Sequence, residues 1–194
     1  MTYLVLGLIV FIGTHSVRIV ADGWRTAAIV RVGALPWKAA YAMLSIAGFA
    51  LMLWGFDQAR HDTQLLWAPP AWGRPAAGLL MLASMVLIVG YFFKRSHISV
   101  AVHHPMLWSV VFWGTAHLLA NSKPADVALF GALLAWGGAD LWSCYGRDRV
   151  AGAVYPPGSW PVTVANVVLG LAAWVGVVVW FHPVVVGVRL MPAG

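Results

Sequence analysis

Six runs of apolar residues divide the chain, at about 3–20, 39–56, 76–93, 105–120, 127–144 and 162–181. Each is 16 to 20 residues long, roughly 24 to 30 Å as helix, which matches a hydrocarbon core of about 30 Å. Spans two and three contain no charged residue. The fourth is the shortest, and Pro105 marks its start; a proline lacks the N–H that a first helical turn would leave unpaired in any case. The turn Asn121-Ser122-Lys123-Pro124 then forces a helical hairpin into span five. The predicted fold is all-α, a polytopic integral membrane bundle of about six transmembrane helices forming a single domain over residues 1–194. The first run continues into Arg18 with neither a basic leader nor a small-residue cleavage site, so it is read as a retained helix. The segment from His182 to Gly194 is too short to span and is expected in the interface.

Composition narrows the class further. The chain has 194 residues, 61% hydrophobic and only 9% charged, against roughly 25% charged in soluble domains. That excludes a soluble enzyme and a disordered tail, and the lone Cys144 excludes an internal disulfide. The formal charge is +6, but the Lys and Arg residues are scattered between apolar runs without a basic stripe or a nucleic-acid motif. No nucleic-acid partner is expected, and the positive residues instead set orientation in the bilayer. Arg18, Arg25, Arg31, Lys38, Lys94, Arg95, Arg147 and Arg149 fall on one side, against Arg60, Arg74, Lys123 and Arg189 on the other. The positive-inside rule then puts both termini on the periplasmic side of a bacterial inner membrane. Nine of the 12 Trp lie in loops or toward span ends, as headgroup anchors do, whereas Trp113, Trp136 and Trp174 lie deeper.

Ionisable side chains inside a span cost roughly 2.5 to 3.5 kcal/mol at the helix centre on insertion scales, so each needs a partner or a role. His15, Arg18, His117 and Asp140, with the polar Asn166, are the candidates. His15 and Arg18 share a helix face and Asp22 follows four residues on, so an ordinary helix-end ion pair accounts for Arg18. His117 has Gly114 one turn before it, which leaves flat space for a planar group; its ordinary reading is a hydrogen bond to Asn166 or to a backbone carbonyl. His103 and His104 stand at the mouth of span four as interfacial residues, and His61 and His97 are expected to be solvated in loops. His182 is either interfacial or reaches toward His117. Proton relay would want more carboxylates than Asp140, and a closed zinc site would want clustered ligands. Haem b fits the residues better: its body is planar and apolar, each iron face takes one imidazole, and Arg18 and Arg25 are available to its propionates. Cys-x-x-Cys-His is absent, which argues against covalent haem.

The stretch His104-Pro105-Met106-Leu107-Trp108, followed by Trp113-Gly114-Thr115-Ala116-His117-Leu118-Leu119-Ala120-Asn121, resembles the signature of the NnrU family of membrane proteins. An N-terminal His15-Ser16-Val17-Arg18, the run Leu129-Phe130-Gly131 and a final His182-Pro183 agree in order, so the resemblance covers essentially the whole chain. It implies a link to nitrite and nitric oxide metabolism in denitrification. It also implies a relation to the plant and cyanobacterial zeta-carotene isomerases, which carry histidine-ligated haem b. Carried over, the iron ligands are His15 and His117, with Arg18 near a propionate. Gly114 stands where the isomerases have a Cys one turn before the second ligand, which disfavours ligand-switching isomerase chemistry. On the predicted spans His15 and His117 are offset by roughly 10 Å or more along the membrane normal; His104 is more level with His15 and is the alternative second ligand.

The leading expectation is a haem b protein of the bilayer with a redox role, working with a respiratory or denitrification partner. The alternatives are a haem-dependent cis-trans isomerase of an apolar polyene, and a haem-free assembly factor for a respiratory complex.

Overall fold

The computed structural model describes residues 1–188 and 190. Among them there is no strand: the chain forms α1 (Thr2–Val20), α2 (Asp22–Val32), α3 (Ala34–Ala59), α4 (Gly73–Gly90), α5 (His97–Val102), α6 (Pro105–Ala120), α7 (Pro124–Ala151) and α8 (Trp160–Gly176). A π-helical segment, Val177–Val186, extends α8. Five of these units are long and apolar enough to cross a membrane, and α6, with 16 residues, is a shorter apolar helix. The long side chains at the surface are mostly apolar, as a lipid-facing bundle requires.

The differences from the predicted spans lie at the helix ends. Residues 21–38, expected to be a loop, contain the whole of α2, which starts with Asp22 in its first turn and stops at Gly33 with φ of 90°. It buries no residue, so hydrophobic periodicity within the bundle could not announce it. Helices α3 and α7 run to 26 and 28 residues, roughly 39 and 42 Å, and so project beyond a hydrocarbon core of about 30 Å. At the start of α7 the Lys123 backbone N–H donates to the Asp126 carboxylate, and Gly152, in the left-handed region, ends the helix. The segment expected to lie in the interface from His182 onward is instead helical through Val186. Arg189, one of the residues counted for orientation, and Met191 to Gly194 lie outside the described residues.

The spanning helices pack in the lateral order α3, α1, α7, α6, α4, α8. Small residues let them approach: a Cβ on Gly7 would fall 2.3 Å from the Met52 backbone nitrogen, and one on Gly55 2.2 Å from that of Leu4. In lipid, where burial of apolar surface adds little between helices, such close backbone packing carries the association. Polar pairs supplement it. Ser84, fully buried on α4, donates to the Ser109 carbonyl of α6 at 2.9 Å, and Asn166 on α8 donates to Ser96 at 3.1 Å. Ser84→Ala should lower the free energy of unfolding in mixed micelles by about 1 kcal/mol, measured by SDS titration.

The two ends of the bundle differ. Where α1 and α7 begin and α3 ends, Leu4, Leu8, Met52, Ala125, Leu129, Phe130 and Leu133 form a dry core. At the other end, where α1 and α7 finish and α3 and α6 start, the helices line a cavity.

Candidate functional site

The cavity has a volume of about 800 Å³ and draws its walls from α1, α2, α3, α6 and α7, with Gly90 and Ser99 beside it. His15 lies on its wall. The Nδ1–H of His15 donates to the Phe11 carbonyl at 2.8 Å, since a carbonyl only accepts. Its Nε2 therefore carries the lone pair, as ligating imidazoles do when the other nitrogen is tied back to the protein. Tyr41 and Trp136 frame the ring, with centroids at 5.3 and 5.7 Å. The buried indole Nε1 of Trp136 has no hydrogen-bond partner among the described residues. It is an unspent donor in the wall of an otherwise largely apolar space.

Five cationic side chains, Arg18, Arg25, Lys38, Lys94 and Arg147, also line the cavity, against one carboxylate, Asp140. Arg18 approaches Asp22 only to 4.0 Å with both side chains about half exposed, so the expected ion pair exists but is weak. Arg25 is the closer partner of Asp22, at 3.3 Å. Asp140 faces Arg147 at 3.6 Å, and Cys144 lies on the same wall, within 2.8 Å of the Arg147 guanidinium. The summed field in the cavity favours an anion or an acidic group on an apolar body.

His104 lines the cavity as well, and its Nε2–H donates to Asp148 at 2.7 Å. Asp148 also accepts from the Tyr155 hydroxyl, and His103 stacks on the Tyr155 ring at 3.9 Å. The Tyr155 hydroxyl is pushed up to about 12, by burial first and then by the Asp148 carboxylate it bonds. It remains a donor throughout the physiological range. These residues tie the segment after α7 to the mouth of the cavity. Asp148→Ala would leave His104 and Tyr155 without their shared acceptor, and faster amide exchange over residues 153–158 is the expected result in hydrogen-exchange mass spectrometry. Sequence reading took His103 and His104 as interfacial residues, with His104 the alternative second ligand; their partners lie more than forty positions away, and no spacing rule connects them.

His117 is placed elsewhere. It lies near the dry end of α6, with its ring stacked on Phe130 at 4.3 Å and against Trp113 at 4.8 Å. His15 touches Trp136 and His117 touches Phe130, six residues apart on α7, so the two imidazoles are offset by about 9 Å along that helix. Helices α1 and α6 do not pack on one another among the described residues. The structure thus brings His15 to the same cavity as His104 and leaves His117 outside it.

Two sequence expectations need correction, and one is narrowed. The space beside Gly114 is not a flat floor for a planar group: a Cβ there would meet Leu134 Cβ at 2.9 Å and the Phe130 carbonyl at 3.1 Å, so this glycine serves the crossing of α6 over α7. Of the two partners expected for His117 the backbone carbonyl is the one found: its Nδ1–H donates to the Trp113 carbonyl, while Asn166 bonds Ser96. His97 is not a solvated loop residue; it starts α5, its backbone N–H and Nδ1–H both donate to Thr163 Oγ1 at 2.9 Å, and its ring packs on Trp160. His61 is exposed, as expected.

Fold and site together define a polytopic helical membrane protein with a basic-mouthed, largely apolar cavity and a tethered imidazole in its wall. The chain belongs to the NnrU family: the family model, described as NnrU protein, matches residues 3–190. No curated protein and no solved structure matches it.

Proposed function

We propose that the protein is a haem b-binding membrane protein in which His15 holds the iron within the cavity and Arg18 and Arg25 face the propionates. The observation that carries this reading is the unspent Nε2 of His15 on the wall of a cavity of about 800 Å³ whose lining is apolar in its body and cationic at its mouth. A planar macrocycle with two carboxylates matches that distribution of chemistry. Bound haem would supply a one-electron carrier, with its potential set by ligand identity and burial. The protein's part is to present the imidazole in one tautomer, exclude water with Tyr41 and Trp136, and neutralise the acidic edge. His104 lines the same cavity and would complete the coordination on releasing Asp148, whereas His117, the second ligand that the family resemblance implies, lies outside the cavity.

The family link to nitrite and nitric oxide metabolism supports a redox role in the envelope, in contact with a respiratory or denitrification partner. No comparable observation favours the polyene isomerase, because Gly114, standing where the isomerases have a Cys, is packed shut and does not line the cavity. A haem-free assembly factor would have no use for a tethered imidazole among five cations. The test is the absorption spectrum of detergent-purified protein before and after dithionite. A Soret band that shifts on reduction, at one haem per chain by pyridine haemochrome, is the expected result; a colourless preparation from haem-replete cells would overturn the proposal.

We place the protein in a bacterial inner membrane with its basic cavity mouth toward the cytoplasm and its termini periplasmic, on the positive-inside count. Cys144, the chain's single cysteine, lies on the cavity wall and reports the orientation. A membrane-impermeant maleimide should label it in inverted vesicles and leave it unlabelled in intact spheroplasts. The opposite pattern would reverse the topology.

A further inference from the structure

Residues 152–159 join α7 to α8, and within this strap Tyr155 and Pro156 form part of the cavity wall. Both ends of the strap are fixed. Gly152, with φ of 59°, turns the chain out of α7, and the Ala153 N–H donates back to the Asp148 carbonyl at 2.9 Å. At the far end the Ser159 N–H donates to the Arg95 carbonyl at 2.8 Å, and Gly158 lies so close to the His97 ring that a Cβ would fall 2.3 Å from its Cδ2. Between these anchors Val154, Pro156 and Pro157 are exposed, Val154 to 93%. The Tyr155 hydroxyl on Asp148 is the strap's one remaining hydrogen bond among the described residues. The Tyr155 ring stacks on His103 at 3.9 Å, with the planes 12° apart. These two rings line the cavity and also a second hollow of about 390 Å³, which they share with Tyr145, Asp148, Arg149 and Gly152. Arg149 and Gly152 are exposed, so the hollow opens to solvent and the stacked pair partitions it from the cavity.

We propose that the strap is a latched lid, with Tyr155 its latch, closing a side entrance through which the cavity receives its ligand. Breaking the contacts of this one side chain with Asp148 and His103 frees the exposed middle of the strap, and Gly152, already in the left-handed region, is the hinge that absorbs the movement. The backbone beneath the latch is loaded against it. His103 is the one residue other than glycine with a positive φ among the described residues, at φ 60° and ψ −46°, and across it the His104 N–H donates to the Val102 carbonyl at 2.6 Å. This is a γ-turn of the strained hand, which persists only where its neighbours hold it. Tyr145 donates to the same carbonyl at 2.8 Å, and Tyr155 covers the His103 ring. When Tyr155 leaves, relaxation of this turn offsets part of the stacking given up, so the open and closed lids lie closer in free energy than the closed contacts alone imply. The entrance leads to the five cations and the apolar lining described above, and the ligand it admits is an anion on an apolar body.

The lid stands on the geometry of the strap and not on the identity of the occupant, so it and the haem reading fail separately. Cys144 supplies the readout, because it lies on the cavity wall one turn before Asp148. The test is the rate at which N-ethylmaleimide labels Cys144 in full-length protein in detergent. Tyr155→Phe keeps the ring and removes only its hydrogen bond to a carboxylate, and it should raise that rate about tenfold. Tyr155→Ala, which loses the stack as well, should raise it further, while Val154→Ala on the exposed part of the strap should match the parent. Hydrogen-exchange mass spectrometry of the two tyrosine variants should show acceleration confined to residues 102–104 and 152–159. Parental labelling rates in both tyrosine variants would overturn the lid. Acceleration in Tyr155→Ala alone would also overturn it, by making the ring a piece of fixed wall. So would faster exchange spread along α1 and α7, which reports a loosened bundle instead of a moving strap.

Discussion

His15→Ala should abolish the Soret band of the purified protein, while His61→Ala, at an exposed position, leaves it intact. The size of the effect follows from the geometry: of the three imidazoles lining the cavity, His15 has its Nδ1 committed to Phe11 and its Nε2 unspent, His104 has its Nε2 committed to Asp148, and His103 has its ring stacked on Tyr155. Removing His15 would take away the imidazole that would hold the iron, and the rest of the lining, apolar and cationic side chains, would not replace it. The second ligand is read from two further variants. If His104 completes the coordination, His104→Ala shifts the reduced and oxidised bands and His117→Ala does not; the reverse pattern gives the position to His117. A His15→Ala protein that folds, migrates as a single species and keeps its full haem complement would refute the assignment of the cavity.

The second large effect is structural. Gly55→Val should destroy the crossing of α1 over α3, because even the first side-chain carbon would lie 2.2 Å from a backbone nitrogen that has no rotamer by which to move away. Separating two helices in a bundle of this kind forfeits contact along their whole length, and a loss of about 3 kcal/mol or more is expected. Gly7→Val should behave alike, since its Cβ would strike the Met52 backbone. Gly13→Ala on the same helix meets nothing within 4 Å and should be silent. Fluorescence-detected gel filtration after a temperature ramp separates these outcomes. A Gly55→Val protein as monodisperse and heat-resistant as the parent would contradict the packing described above.

Much of this architecture was legible in the chain. The six apolar runs mark the spanning helices, because in lipid each backbone polar group must be satisfied within its own segment and the length of the run is set by the bilayer. Pro105 and the Asn121–Pro124 turn fix both ends of α6 where expected. Helix α2 was not legible, nor was the continuation of α7 to Ala151, since outside the hydrocarbon a helix can be polar or mixed and no longer declares itself by hydropathy. At the site, the buried ionisable residues stood out individually through their desolvation cost, and His15, Arg18 and Asp140 do line the cavity. What the sequence lacks is lateral order. Because α7 lies beside both α1 and α6, it separates His15 from His117, while the starts of α3 and α6 bring Lys38 and His104 to the same chamber as His15. Nothing in local spacing encodes which helices become neighbours.

The walls of the chamber span most of the polypeptide, from Thr14 on the first helix to Pro156 beyond the seventh. While the ribosome is still delivering the middle of the chain, this enclosure does not exist, and its earliest-made half exposes His15 and Arg18 without a counterpart. A prosthetic group held there would therefore be acquired late, by a bundle already inserted and threaded, and at the end that holds the cavity.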